Sequence, residues 1–123
     1  MKNKILFIED ERALHKSLKE ILEIENIELI SAFDGEEGLK KVQEERPDLI
    51  LLDLILPKLH GFDVLKKIKE DKELQEIPLI ILTNLEDINE VEKVLELGVT
   101  TYLSKSSYTL MEIVKKIKEI LNP

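Results

Sequence analysis

The sequence predicts an α/β domain: five βα units around a parallel sheet, with helices on both faces. Three observations point there. Short apolar runs alternate from end to end with segments of 3.6-residue periodicity. The runs begin at positions 5, 27, 49, 79 and 99, spaced 22, 22, 30 and 20 residues apart, each about the length of one βα unit. No uninterrupted apolar run exceeds four residues, whereas a secretory leader needs roughly 7–15 and a membrane span about 20.

The elements follow in order. Ile5–Ile8 reads as the first strand, and Leu14, Leu18, Ile21 and Leu22 form one face of the helix behind it. Ile27–Ile30 is interrupted by Glu28, which marks a strand at the sheet edge. Leu39 and Val42 give the second helix its face, and Pro47 ends it. Leu49–Leu52 is the third strand, followed by a helix bearing Phe62, Leu65 and Ile68. Pro78 precedes the strand Leu79–Leu82; Ile88, Val91, Val94 and Leu95 face inward from the fourth helix, which Gly98 ends. Val99–Leu103 is the weakest run, and like the first, third and fourth it is continuous enough to be buried on both faces. Leu110, Ile113, Val114, Ile117, Ile120 and Leu121 make the clearest helical stripe. Asp34 with Glu37 and Thr109 with Glu112 both read as capping boxes.

Five such units use up all 123 residues as one domain, 1–123, leaving hardly any room for an output domain. Eighteen Lys+Arg against 26 Asp+Glu give a net charge of −8, which argues against a binder of phosphate backbones. The absence of cysteine removes disulfides, thiol nucleophiles and thiolate metal sites, so a cytoplasmic, soluble protein is expected.

Ligands of an open parallel sheet bind at the carboxyl ends of its strands. Strand one ends in Glu9-Asp10, strand three in Asp53, strand four in Thr83, and Lys105 follows strand five. Taken singly, most of these are ordinary: Asp10 could cap a helix, Glu9 sit in a loop, Lys105 lie on the surface. Asp53 is harder to dismiss, since an Asp among apolar neighbours costs several kcal/mol if buried unpaired. Close carboxylates repel unless a cation lies between them. A hard divalent ion with oxygen ligands resolves this, and Mg²⁺ is expected. Asp53 would then stay ionised as a nucleophile toward phosphorus, with Lys105 and Thr83 holding phosphoryl oxygens.

With Glu9-Asp10, Asp53-Leu-Ile-Leu-Pro57-Lys-Leu-His-Gly61, Thr83 and Tyr102-Leu-Ser-Lys105 in place, the chain resembles the response-regulator receiver domains of two-component signalling, chemotaxis regulators among them. The resemblance covers residues 3–121 and rests on D-x-x-L-P-x-L-x-G, with an acidic pair about 43 residues upstream and a Lys about 52 downstream. It implies a flavodoxin-like fold with strand order 2-1-3-4-5. It implies that Asp53 is the phosphoacceptor, that Asp10, Asp53 and the Ile55 carbonyl bind Mg²⁺, and that Glu9 acts through a metal-bound water. Thr83 and Lys105 would bind the phosphoryl group, and Thr83 and Tyr102 would switch the face formed by the fourth helix, fifth strand and fifth helix. A histidine kinase or phosphotransfer protein would be the donor and a downstream protein the target. No direct nucleic-acid or membrane contact is expected, and the protein would be a monomer or a weak phosphorylation-dependent dimer.

Three features depart from the pattern or tune it. Ser106 follows Lys105 where the family has Pro in a cis peptide; a non-proline cis bond costs about 3 kcal/mol, so a trans bond is expected. Asn84 follows Thr83 where Ala or Gly is usual, and is expected to crowd access. Ile55 and Leu85 are apolar and would screen an attacking water, giving a slowly hydrolysed phosphoform. His15 and His60 have no metal-ligand partners at useful spacing and are expected on the surface; Phe7, Phe33 and Phe62 are expected in the core.

The favoured function is a phosphorylation switch that catalyses only its own modification, not an enzyme. A Mg²⁺-dependent phosphohydrolase with an Asp nucleophile competes with it, but such enzymes of the haloacid dehalogenase class carry a second Asp where Ile55 stands. A pseudo-receiver that binds partners without phosphorylation is the third reading, and the complete constellation argues against it.

Overall fold

The computed structural model describes residues 2–84 and 87–123. Its elements are β1 (Asn3–Ile8), α1 (Arg12–Ile24), β2 (Ile27–Ala32), α2 (Gly35–Glu45), β3 (Leu49–Leu52), α3 (Gly61–Glu70), β4 (Leu79–Thr83), α4 (Ile88–Glu96), β5 (Thr101–Ser104) and α5 (Leu110–Leu121). All neighbouring strands are parallel, in the order β2-β1-β3-β4-β5, the flavodoxin-like arrangement.

Period-two alternation divides the core in two. Ile5, Phe7, Leu49, Leu51, Ile80, Leu82 and Leu103 meet Leu18 and Leu22 of α1 and Ile113, Val114 and Ile117 of α5. Leu6, Ile8, Ile50, Leu52 and Ile81 meet Val42 of α2, Val64, Leu65 and Ile68 of α3, and Val94 of α4. Phe7 is fully buried, whereas Phe33 and Phe62 are half-buried.

The expected ends need adjustment. β1 starts two residues earlier and β2 runs two residues longer than their apolar runs, because pairing continues through the polar Asn3 and Lys4 in β1 and through Ser31 and the small Ala32 in β2. β5 starts at Thr101 and lies at an edge of the sheet; Leu103 packs into one core and Tyr102 against the other, but three of its four residues are only half-buried, so the cover is partial. In α4 only Val94 is buried: Ile88 is 69% exposed and Leu95 49% exposed, so the expected inward face is largely turned to solvent.

Thr109 and Glu112 form the expected capping box. At α2, Asp34 accepts from the Glu37 N–H, but the Glu37 carboxylate takes the Phe33 N–H, one residue before the cap. α2 ends at Arg46 in a left-handed conformation before Pro47, and Gly98 takes φ 90° behind α4, a value that glycine adopts without strain. No helix among the described residues is long and apolar enough to cross a membrane.

Candidate functional site

Strand register assembles the site. Ile8 pairs with Leu52, and the Asp53 N–H donates to the Ile8 carbonyl, so Glu9 and Asp53 leave the sheet side by side. Leu52 pairs with Ile81, placing Thr83 just beyond Asp53 on the next strand. Thr83 pairs with Ser104, and its carbonyl accepts the Lys105 N–H at 3.0 Å. Four strand ends, at positions 9, 53, 83 and 105 of the sequence, therefore meet at one rim.

Lys105 reaches across it. Its Nζ lies 2.9 Å from Asp53 Oδ2 and 2.5 Å from Glu9 Oε1. The second Asp53 oxygen accepts the Ile55 N–H at 3.1 Å, and Glu9 Oε2 accepts the Glu11 N–H at 3.0 Å. Glu9 Oε1 is buried and, though ion-paired to the ammonium, meets no donor in hydrogen-bonding alignment among the described residues. Glu9 and Asp53 are buried at 0% and 3% exposure; Asp10 is exposed beside them and does not cap α1, whose N-cap is Glu11.

Burial pushes the Glu9 carboxyl up to about 7; the Asp53 charge adds to this, while Lys105 and the Glu11 amide oppose it. Burial pulls the Lys105 ammonium down, but its hydrogen bonds and charge attraction to Glu9 and Asp53 outweigh this and hold it above its ordinary value. Tyr102, half-buried on β5, is raised by burial and then by the Asp53 charge.

The donor set fits a hard divalent cation. Carboxylate oxygens of Glu9, Asp10 and Asp53 lie within 4.8 Å of one another. With all three ionised, one ammonium leaves such a trio with an excess of two negative charges, and oxygen-only donors suit Mg²⁺-like ions. Ile55 is 52% exposed next to Asp53; Leu85 lies outside the described residues. The Lys105–Ser106 peptide is trans, as expected without proline.

His15 corrects a surface expectation. It is 4% exposed, held between the rings of Phe7 and Phe33, with Arg12 stacked on the far ring at 3.9 Å. Its Nε2 is 2.6 Å from the Glu9 carbonyl and its Nδ1 is 2.8 Å from Ser31 Oγ. A carbonyl only accepts, so Nε2 carries the proton and Nδ1 accepts from the hydroxyl. Burial lowers its pKa and keeps the ring neutral. The signal was available: His15, Leu18 and Leu22 stand at i, i+3 and i+7. His15→Ala is expected to cost about 2–3 kcal/mol in urea denaturation, from lost packing plus an orphaned carbonyl. A loss below about half a kcal/mol would show that the ring supports nothing. His60 is exposed, as expected, and its Nδ1 caps α3 by accepting the Phe62 N–H.

Gly61 has a role that its place in the motif does not reveal. A Cβ there would lie 2.3 Å from the Asp53 carbonyl oxygen and 2.4 Å from Leu54 Cα. Only a hydrogen fits where the loop folds back onto the residue that carries the central carboxylate.

Comparison with known proteins agrees with this geometry. The family model for the response regulator receiver domain matches residues 5–118. The alkaline phosphatase synthesis transcriptional regulatory protein PhoP of Bacillus subtilis is 40% identical over 98% of this chain and 49% of its own length. The chain thus spans about half the length of that relative. A CheY-like receiver domain protein from Methanospirillum hungatei superposes with a TM-score of 0.90 at 30% identity, covering 99% of this chain and 95% of the other. The phosphorylated cyanobacterial phytochrome response regulator RcpA superposes at 0.88 with 34% identity, covering 98% and 94%. One expectation loses its support: PhoP is by name a transcriptional regulator, and the acidity of these 123 residues bears on their own surface alone, so direct nucleic-acid contact is not excluded. With a family match over most of its length and the acidic rim of β1 and β3 facing Lys105, the chain belongs to the receiver domains of two-component response regulators.

Proposed function

We propose that Asp53 accepts a phosphoryl group from a histidine kinase or phosphotransfer protein, and that this switches a surface read by a downstream protein. The observation that carries the reading is the Asp53 carboxylate, buried at the strand ends and ion-paired to Lys105 beside Glu9 and Asp10. Asp10, Asp53 and the Ile55 carbonyl would hold Mg²⁺, with Glu9 behind them through water. The cation supplies charge neutralisation and orientation of the incoming phosphoryl group. An Asp53 oxygen forms the O–P bond as the donor's P–N bond breaks and the donor imidazole leaves. Lys105, already at the carboxylate, turns to a phosphoryl oxygen, and the Thr83 hydroxyl takes another. RcpA, similar to this chain over nearly its whole length, is a phosphorylated protein by its description, which supports the same chemistry here.

Thr83 and Tyr102 would transmit the change to α4, β5 and α5. The single buried anchor of α4, Val94, and the exposed Ile88 and Leu95 support a face that can be remodelled at low cost. The protein acts on itself without turnover of an external substrate, as a monomer or a weak phosphorylation-dependent dimer.

Intact-mass measurement after incubation with acetyl phosphate tests the reading. Wild type is expected to gain one phosphoryl group only with Mg²⁺ present, and Asp53→Asn none. Equal uptake by both proteins would remove Asp53 from its role. The adduct is expected to persist for minutes or longer, with Ile55 screening water; decay within seconds would overturn that part.

A further inference from the structure

The last backbone rung between β4 and β5 is the Lys105 N–H on the Thr83 carbonyl at 3.0 Å. One residue further, the Ser106 N–H donates to Oδ1 of Asn84 at 3.0 Å, so a side-chain carbonyl extends the ladder. The Ser106 hydroxyl takes no part in this; it lies 3.2 Å from Ser104 Oγ. Lys105 is thus tethered on both sides, through its own amide and through the next one. Both tethers lead to the pair Thr83-Asn84. The two residues are matched: proline at 106 would offer no N–H, and alanine at 84 no acceptor.

We propose that Asn84 is a positioning residue for phosphoryl transfer, fixing through the Ser106 amide the backbone from which Lys105 reaches Asp53 and Glu9. A lysine ammonium stands on a flexible four-carbon stem, so its placement depends on where the Cα is held. With the second tether gone, rotation about the Lys105 backbone swings the ammonium away from the rim. Misplacement of a catalytic group by about 1 Å costs up to about a hundredfold in rate. The inference rests on the Asp53 reading for its catalytic consequence; the tether and the ammonium position stand apart from it.

The test uses the full chain with Asn84→Ala, Asn84→Asp, Ser106→Ala and the double variant Asn84→Ala/Ser106→Pro. Amide exchange at Ser106 and the ¹⁵N-resolved Lys105 ammonium signal are read in metal-free protein; the Asp53 phosphorylation rate is read with acetyl phosphate and Mg²⁺. Asn84→Ala is expected to speed Ser106 exchange about fivefold, the worth of one hydrogen bond. It should also move the ammonium signal toward that of solvent-exposed lysines and slow phosphorylation about tenfold. Asn84→Asp, which keeps the acceptor, retains Ser106 protection, and Ser106→Ala, which keeps the N–H, behaves as wild type. The double variant is no slower than Asn84→Ala. Faster Ser106 exchange in Asn84→Ala with an unchanged ammonium signal and rate would overturn the proposal, reducing the contact to a surface hydrogen bond. Unchanged exchange would overturn it as well. Absence of phosphorylation in wild type would defeat the Asp53 reading, and the ammonium signal would then decide the positioning role by itself.

Discussion

Lys105→Ala is expected to lower the stability of the metal-free protein by about 3 kcal/mol at mildly alkaline pH, because two buried carboxylates lose their cation. The sign follows from Glu9. Its carboxyl in the fold is raised from 4.5 to about 7, so the protonated form is favoured in the native state. Its contribution to stability is full below pH 4.5 and is lost as the pH rises through about 7. Lys105 holds that value down, so its removal raises the native pKa further and extends the loss to higher pH. The gap between variant and wild type should therefore be smaller near pH 5, where only the Asp53 contact is lost, and widen above pH 7. Millimolar Mg²⁺ should narrow the gap, since carboxylates freed from the ammonium gain a competing cation that binds only the native state. Urea denaturation at two pH values, with EDTA and with Mg²⁺, reads all of this. Equal stability of the two proteins in EDTA at alkaline pH would sink the account of Lys105 as the charge that permits this burial.

Gly61→Ala is expected to cost about 3 kcal/mol and to slow phosphoryl uptake by roughly tenfold or more. The atoms in the way are backbone: the Asp53 carbonyl oxygen at 2.3 Å and Leu54 Cα at 2.4 Å. Neither can rotate aside. The Gly61 N–H is also bound to the Leu54 carbonyl at 3.0 Å, so the loop cannot lift without breaking that bond. Relief must come from moving the main chain that carries Asp53, which couples the stability loss to the chemistry. Gly98→Ala separates the two effects. At φ 90° with no atom within 4 Å of its Cβ, it carries backbone strain alone, about 1–2 kcal/mol, and should leave uptake unchanged. If both variants lost uptake equally, the close approach at Gly61 would have no special bearing on Asp53.

Legibility in the sequence tracked how local the cause was. Apolar runs locate strands because both faces of β1, β3 and β4 are covered, and Glu9, Asp10, Asp53, Thr83 and Lys105 are legible because each breaks or follows such a run. β5 was over-read, since an apolar run does not tell which strand lies at an edge of the sheet. The inward face of α4 was over-read for a related reason: periodicity gives a stripe, while the sheet edge beneath determines how much of it is covered. His15 was missed because a polar ring is buried here by partners from two other segments, Phe7 and the Glu9 carbonyl at the end of β1 and Ser31 on β2. The pairing of Asn84 with Ser106 was visible only as two separate irregularities, since a side chain completing a ladder leaves no periodic trace.

The Lys105 bridge also bears on how the chain reaches its native state. Glu9 and Asp53 come together as soon as β1 and β3 pair, but their counter-charge arrives only with the segment after β5. A partial sheet that stops at β4 brings the two carboxyls together with no internal cation, so at alkaline pH, where both are ionised, such intermediates are penalised relative to the finished fold. Addition of the last strand is thereby driven by charge as well as by apolar burial, which sharpens the cooperativity of folding.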